Sequence, residues 1–195
     1  MTALARSARF ICAFAAFMLA ASFPAAAQYE SSRRTGTYSA DEVVREGHKF
    51  FGVAARELAA LVQRAGSQWG EPNGYILGEE GSGAIAAGLR YGEGKLYMKQ
   101  GGDRKVFWQG PSLGFDFGGE GSRTMILVYN LPGPRAIFDR FGGVAGSAYL
   151  IGGFSMTALA SNNVVLVPIK SGVGARLGVN LGYLKFTPNS TWNPF

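Results

Sequence analysis

The residues able to do chemistry are few, and their spacing limits what they can do. His48 is the single histidine of the 195-residue chain and Cys12 the single cysteine. One imidazole without a thiolate beside it cannot build a zinc cage. His48 falls on a segment with helical periodicity, next to its apolar stripe, and a Ser-His-Asp site would have to recruit it across the fold. Asp116 and Glu120 lie in the run from Phe115 to Arg123. Two carboxylates can hydrolyse a polymer when their surroundings separate their pKa values. The same loop equally suits acids bound to loop amides or to Arg123. Gly78 to Gly83 lacks the lysine of a phosphate-binding loop, and Gly119-Glu120-Gly121 lacks the third glycine of a dinucleotide fingerprint. Gly153-Phe154-Ser155-Met156-Thr157 lacks the closing glycine of a nucleophile elbow. These patterns predict no catalytic residue, no metal site and no cofactor.

The chain opens with an address. Arg6 and Arg9 precede the uncharged apolar run from Phe10 to Ala21, and Ala25-Ala26-Ala27 follow the Ser22-Phe23-Pro24 break. This predicts a signal peptide over residues 1–27, cleaved before Gln28, and a periplasmic mature protein. The run is well short of the ~20 residues that span a bilayer as a helix. Cys12 leaves with the leader, so no disulfide is expected. The net charge of +6 is spread singly, without a basic tract interleaved with aromatics, which argues against nucleic-acid binding.

Residues 28–38 are polar and aperiodic and are expected to form a flexible linker. Ser39-Ala40-Asp41-Glu42 matches a capping box. Val44, Phe51, Ala54, Ala55, Leu58, Leu61, Val62 and Ala65 then share one helical face, predicting one long helix that stops at Gly66. After Trp69, short apolar or alternating runs are separated by turn residues. Nine or ten strands are expected, among them Ala84–Tyr91, Lys95–Lys99, Val144–Ile151, Ser155–Ala160, Val164–Ile169 and Val173–Phe186. A helical insert is expected over Pro134–Phe141. All 29 glycines follow the leader and make up about 17% of the remainder, far above the usual ~7%. Glycine dispersed among Val, Ile, Leu, Phe and Tyr suits sharply curved strands. Val164-Val165-Leu166-Val167 does not alternate, which predicts burial on both faces. The fold class is therefore mainly β, a small closed or nearly closed antiparallel barrel over residues 39–195 with the helix packed on its outside.

A curved barrel with surplus aromatics can hold an apolar or lipid-like ligand. Candidate wall residues are Phe107, Phe115, Phe117, Phe138, Phe141, Leu177, Val179 and Leu181. A plainly filled core is the alternative, and with it a role as structural partner of an envelope assembly. The terminal Phe195 invites a membrane-inserted barrel. Pro188, Pro194 and the short charged runs around Lys95–Lys99 and Arg104–Gln109 oppose it.

Val128–Gly133, Phe141–Tyr149 and Ser171–Gly178 resemble the envelope integrity protein A (EipA) family, from about Ser39 to the C-terminus. The resemblance implies a periplasmic small barrel with an apolar pocket that supports the cell envelope, and it carries over no catalytic residues. The second half is also distantly similar to the SYLF lipid-binding domain, in its Asn130 turn, glycine-rich strands and Ser171–Gly174 hairpin. That likeness bears on ligand class alone.

Overall fold

The structure, a computed structural model, describes residues 36–82, 89–111, 122–171, 182–191 and 193. The expected signal peptide therefore lies outside the described residues. The family of contacts that makes the domain begins at Gly36. Thr37 Oγ1 donates to Glu71 at 2.7 Å, and the Tyr38 amide donates to the Pro72 carbonyl at 2.8 Å.

The chain forms two helices where one was expected: α1 (Ala40–Phe51) and α2 (Arg56–Trp69). The capping box is present at Ser39 and Glu42. The break comes at Gly52, which adopts φ +73° and closes α1 with its amide on the His48 carbonyl. A left-handed residue ends a helix, and glycine adopts that conformation without a Cβ penalty. His48 Nε2–H then donates to the Ala55 carbonyl at 3.1 Å and ties the corner. The lone histidine is thus a corner brace. Splitting the helix also rotates its buried face: Val43 and Gly47 are buried in place of Val44. A Cβ on Gly47 would press on Leu58 and on Met125, so α1 and α2 cross closely over the sheet there. Gly66 lies inside α2, which runs on to Trp69.

Ten strands follow among the described residues: β1 (Gly74–Ser82), β2 (Leu89–Met98), β3 (Arg104–Pro111), β4 (Ser122–Tyr129), β5 (Arg140–Gly143), β6 (Tyr149–Ile151), β7 (Phe154–Met156), β8 (Leu159–Ser161), β9 (Val164–Ser171) and β10 (Tyr183–Thr187). They pair in the order β4-β1-β2-β3-β10-β5-β8-β9, and β9 pairs back to β4. The result is a closed eight-stranded antiparallel barrel. β7 adds to β9 beyond β8, and β6 to β7, outside the ring.

Three differences from expectation have local causes. The runs Ala84–Tyr91 and Lys95–Lys99 were expected as two strands, yet β2 runs unbroken through Gly92-Glu93-Gly94. Those glycines face inward, and a Cβ on Gly92 would collide with the Trp108 ring. They thin the wall and do not turn the chain. The run Ser155–Ala160 splits into β7 and β8 opposite Pro168, which has no N–H to give the ladder. The Ala158 amide turns instead to Ser147 Oγ at 3.0 Å, and Ser147 Oγ also bonds the Val144 carbonyl at 2.6 Å. That loop interrupts the expected strand Val144–Ile151. Finally, the expected helix over Pro134–Phe141 shortens to a 3-10 turn at Pro134–Ile137. Asp139 stops it by accepting from the Arg140 amide and from Ser161 Oγ, both at 2.7 Å, so that Phe141 enters the barrel.

Two apolar clusters result. Inside the barrel lie Ile76, Leu96, Val106, Trp108, Ile126, Phe141, Leu166, Leu184 and Phe186. Outside it, Met125, Leu127, Tyr129, Val167 and Ile169 meet Val43, Phe51, Leu58, Leu61, Val62 and Ala65 of the helices. β4 and β9 are buried on both faces, as the unbroken apolar run at Val164–Val167 requires.

This packing separates two glycines. Replacing Gly92 by Ala is expected to destabilise the fold by about 3 kcal/mol, since the indole has no room to retreat. Gly66→Ala meets open space in mid-helix and is expected to stabilise by about 0.5–1 kcal/mol. Urea denaturation of both variants checks this. Equal effects would mean that the ring does not lie against Gly92.

Candidate functional site

The inward-facing rows of the barrel change chemistry along their length. From Ile76 the two-residue alternation leads through Gly78 to Glu80, and from Leu96 through Gly94 and Gly92 to Arg90. On the neighbouring strands β4 and β9 it leads from Ile126 to Thr124, and from Leu166 through Pro168 to Lys170. The strand register brings these ends together: Glu80 lies opposite Gly92 and Ser122, Thr124 opposite Lys170, and Arg90 opposite Gly110. One end of the interior is thus packed with hydrocarbon and the other carries charge.

Glu80 is the centre of the charged end, with 5% of its surface exposed. Trp108 Nε1–H donates to its Oε2 at 2.9 Å, and Lys170 Nζ donates to its Oε1. Burial by itself would raise the carboxyl pKa. The charges of Lys170 and Arg90, with the two hydrogen bonds, outweigh burial and hold it below the ordinary value of 4.5. Arg90 is 3% exposed and close enough to act on Glu80 electrostatically, but it does not bond to it. Its Nε and Nη2, together with Thr124 Oγ1, are buried without a hydrogen-bond partner among the described residues.

A recess of about 320 Å³ lies at β1–β3 and the C-terminal segment, and it borders the charged end, since Glu80, Gly92 and Trp108 line it. Glu79, Tyr91, Glu93, Phe107, Gln109 and Thr191 are among its lining residues. The outward rows of β2 and β3 carry paired charges, Lys105 to Glu93 at 3.1 Å and Lys95 to Asp103 at 2.8 Å.

The residues expected to line a ligand pocket divide as follows. Phe141 is fully buried in the interior, edge-on to Phe186 at 5.8 Å. Phe138 packs half-buried against the same cluster, with the Arg104 guanidinium 5.9 Å from its ring. Phe107 is half-buried in the outer recess, with Lys105 Nζ 4.8 Å from its ring. The structure therefore brings Phe138 and Phe141 together and keeps Phe107 on the other side of the wall. Phe115, Phe117, Leu177, Val179 and Leu181 lie outside the described residues, as do Asp116 and Glu120. Among the described residues no three His, Cys, Asp or Glu side chains converge as metal ligands.

Sequence reasoning missed Glu80, Arg90 and Lys170, and counted Trp108 only among the surplus aromatics. A signal was present: Ile76, Gly78 and Glu80 share one face of β1, so an acid continues an apolar, glycine-thinned row. Pairing partners for that acid become visible only with the register.

The fold and this charged end define a small, closed antiparallel barrel buttressed on one flank by two helices. The model of the family described as envelope integrity protein A matches residues 36–195, and the chain belongs to that family, EipA. Among solved structures, the chain is 59% identical to one from Brucella abortus described as a beta-barrel-like, uncharacterized protein. That match has a TM-score of 0.77 and covers 82% of this chain and 99% of the other. No curated protein matches significantly. Among the described residues no helix is long and apolar enough to cross a membrane.

The Glu80 cluster has a definite pH signature. Its folded pKa lies below the unfolded one, so the carboxylate stabilises the fold fully above the ordinary value of 4.5. The contribution is lost as pH falls through the folded value. Glu80→Gln leaves the buried Arg90 and the half-buried Lys170 without their carboxylate and is expected to cost about 3–5 kcal/mol at pH 7. The wild-type and Glu80→Gln proteins should converge in stability once pH drops below the folded pKa. Denaturation at pH 7 and in acid checks this, and a gap that persists undiminished in acid would assign the loss to packing.

Proposed function

We propose that the protein is a periplasmic, non-enzymatic member of the cell envelope that supports its integrity by holding an apolar or lipid-like ligand at the charged end of the barrel. The carrying observation is the polarity of the interior. A hydrocarbon layer around Ile76, Leu96, Ile126 and Leu166 is topped by Glu80, Arg90 and Lys170, which is the polarity of an amphiphile. The apolar half is occupied by the protein's own side chains, so a ligand has the charged end to occupy. The tripartite leader supports the periplasmic location. The Lys95, Lys105 and Glu93 charges on the outer wall favour water around the barrel over lipid.

One observation favours a second reading, docking to an envelope assembly. β6 lies outside the ring and exposes Tyr149, Leu150 and Ile151 by 39%, 56% and 40%. A strand edge with apolar side chains can add to a partner strand.

Native mass spectrometry of protein released from the periplasm is expected to show an added lipid-sized mass, and a strain lacking the protein is expected to be sensitised to detergent. A bare protein mass, with no binding of a fluorescent fatty-acyl probe, removes the ligand and leaves the docking reading. In that case Leu150→Glu is expected to abolish co-purification of an envelope complex.

A further inference from the structure

Among the described residues, the charged end of the barrel sets Arg90 and Lys170 against the single carboxylate of Glu80. Both oxygens of Glu80 are engaged, one by Trp108 and one by Lys170. Arg90 reaches the same end of the interior from β2, one inward step beyond Gly92. Its Nε and Nη2 form one edge of the guanidinium plane, the pair of parallel donors that takes a carboxylate or phosphate through two bonds. That edge is buried and unpartnered among the described residues. Thr124 Oγ1, on the inward face of β4, is buried and unpartnered as well. A buried donor edge without an acceptor is disfavoured, and among the described residues two cations, Arg90 and Lys170, face one carboxylate.

We infer that the charged end of the barrel is an oxyanion site, in which the Nε/Nη2 edge of Arg90 binds a carboxylate or phosphate group with two hydrogen bonds. Lys170 and Glu80 position the site and Trp108 forms its floor. Glu80 remains paired, so an incoming anion meets a net attractive field and is not repelled. The inference deepens the ligand-binding reading and rests on it for the apolar part of the ligand. The anionic part stands on Arg90 alone. Two sources could supply it: the head of an acyl lipid, or free phosphate.

The test uses the full mature chain, stripped of lipid, with three probes: a dansyl-labelled undecanoic acid, its methyl ester and inorganic phosphate. The acid is expected to bind about ten- to a hundredfold more tightly than the ester, the usual range for a charge-assisted pair. Arg90→Gln is expected to erase that difference while leaving ester binding in place. It removes the unpartnered buried edge and leaves Glu80 paired with Lys170, so the ligand-free variant should unfold at no lower temperature than wild type. A merely structural role for Arg90 predicts the opposite shift. Should Arg90→Gln not fold, Arg90→Lys keeps the charge without the fork and is expected to lose most of the acid preference. Equal binding of acid and ester overturns the oxyanion site but leaves the apolar-ligand reading intact. Binding of phosphate alone, dependent on Arg90, supports the oxyanion site with phosphate as its source and removes the lipid. No binding of any probe overturns both.

Discussion

The indole of Trp108 is the piece around which the barrel closes. It stands on the inward face of β3 and crosses to β1 and β2 at the two places where a side chain would block it, Gly78 and Gly92. Its ring packs against Phe186 of β10 at 5.9 Å. Its N–H reaches Glu80 at the far end of β1. One side chain thus links four consecutive walls and joins the apolar half of the interior to the charged half. An eight-stranded barrel has room for few large rings, because its interior is just wide enough for side chains to fill it. The glycines set that room, which explains why β2 tolerates three inward positions of Arg, Gly and Gly in succession. The charged end follows from the same contact, since a buried indole N–H needs an acceptor and Glu80 supplies it.

The helices answer a different demand. β4 and β9 are apolar on both faces, so closing the ring leaves Met125, Leu127, Val167 and Ile169 bare on the outside. A single straight helix would cover a strip of that surface. The corner at Gly52 lets two helices lie side by side over it, with Gly47 allowing α1 to approach Leu58 and Met125. Farther round, the outer faces of β2 and β3 carry ion pairs instead, Lys95 with Asp103 and Lys105 with Glu93. The barrel therefore has a dry flank and a wet flank, each dictated by the outward residues of its own strands.

Periodicity made much of this legible. The capping box at Ser39, the two-faced burial of β9 and the presence of a barrel with helical cover follow from local pattern. Glycine misled wherever one residue type serves two ends. Gly52 stops a helix, Gly66 sits within one, and Gly92 and Gly94 lie in the middle of a strand that they appeared to divide. What distinguishes these cases is the neighbour across the fold, Trp108 for Gly92 and open solvent for Gly66, and no local window contains it. The charged end was hidden for the same reason. Glu80 and Lys170 are 90 positions apart, and only the β1–β4–β9 register sets them face to face. Phe107 illustrates the parity problem: it is adjacent to Trp108 in the chain and on the opposite side of the wall.

Closure also decides where the protein can meet anything else. A complete ring has no free strand edge, and the helices occupy the flank that would otherwise be sticky. β6 escapes both, because Pro168 splits the β7–β8 run and so carries β7 past the ring with β6 paired to it. Arg64 of α2 covers part of that strand, its guanidinium 3.5 Å from the Tyr149 ring centroid, while Leu150 on the same strand faces water. The charged end of the interior is the other exception, since there the inward rows finish in groups that hydrocarbon packing cannot satisfy. These two places differ in kind. A strand edge offers backbone hydrogen bonds to any extended chain and selects by side-chain fit. A buried guanidinium edge offers two directed bonds to an anion and selects by charge and geometry. On the two proposals, a small anionic molecule would be bound within the barrel and a polypeptide along β6, with β9, paired to both β4 and β7, as the element shared by the two.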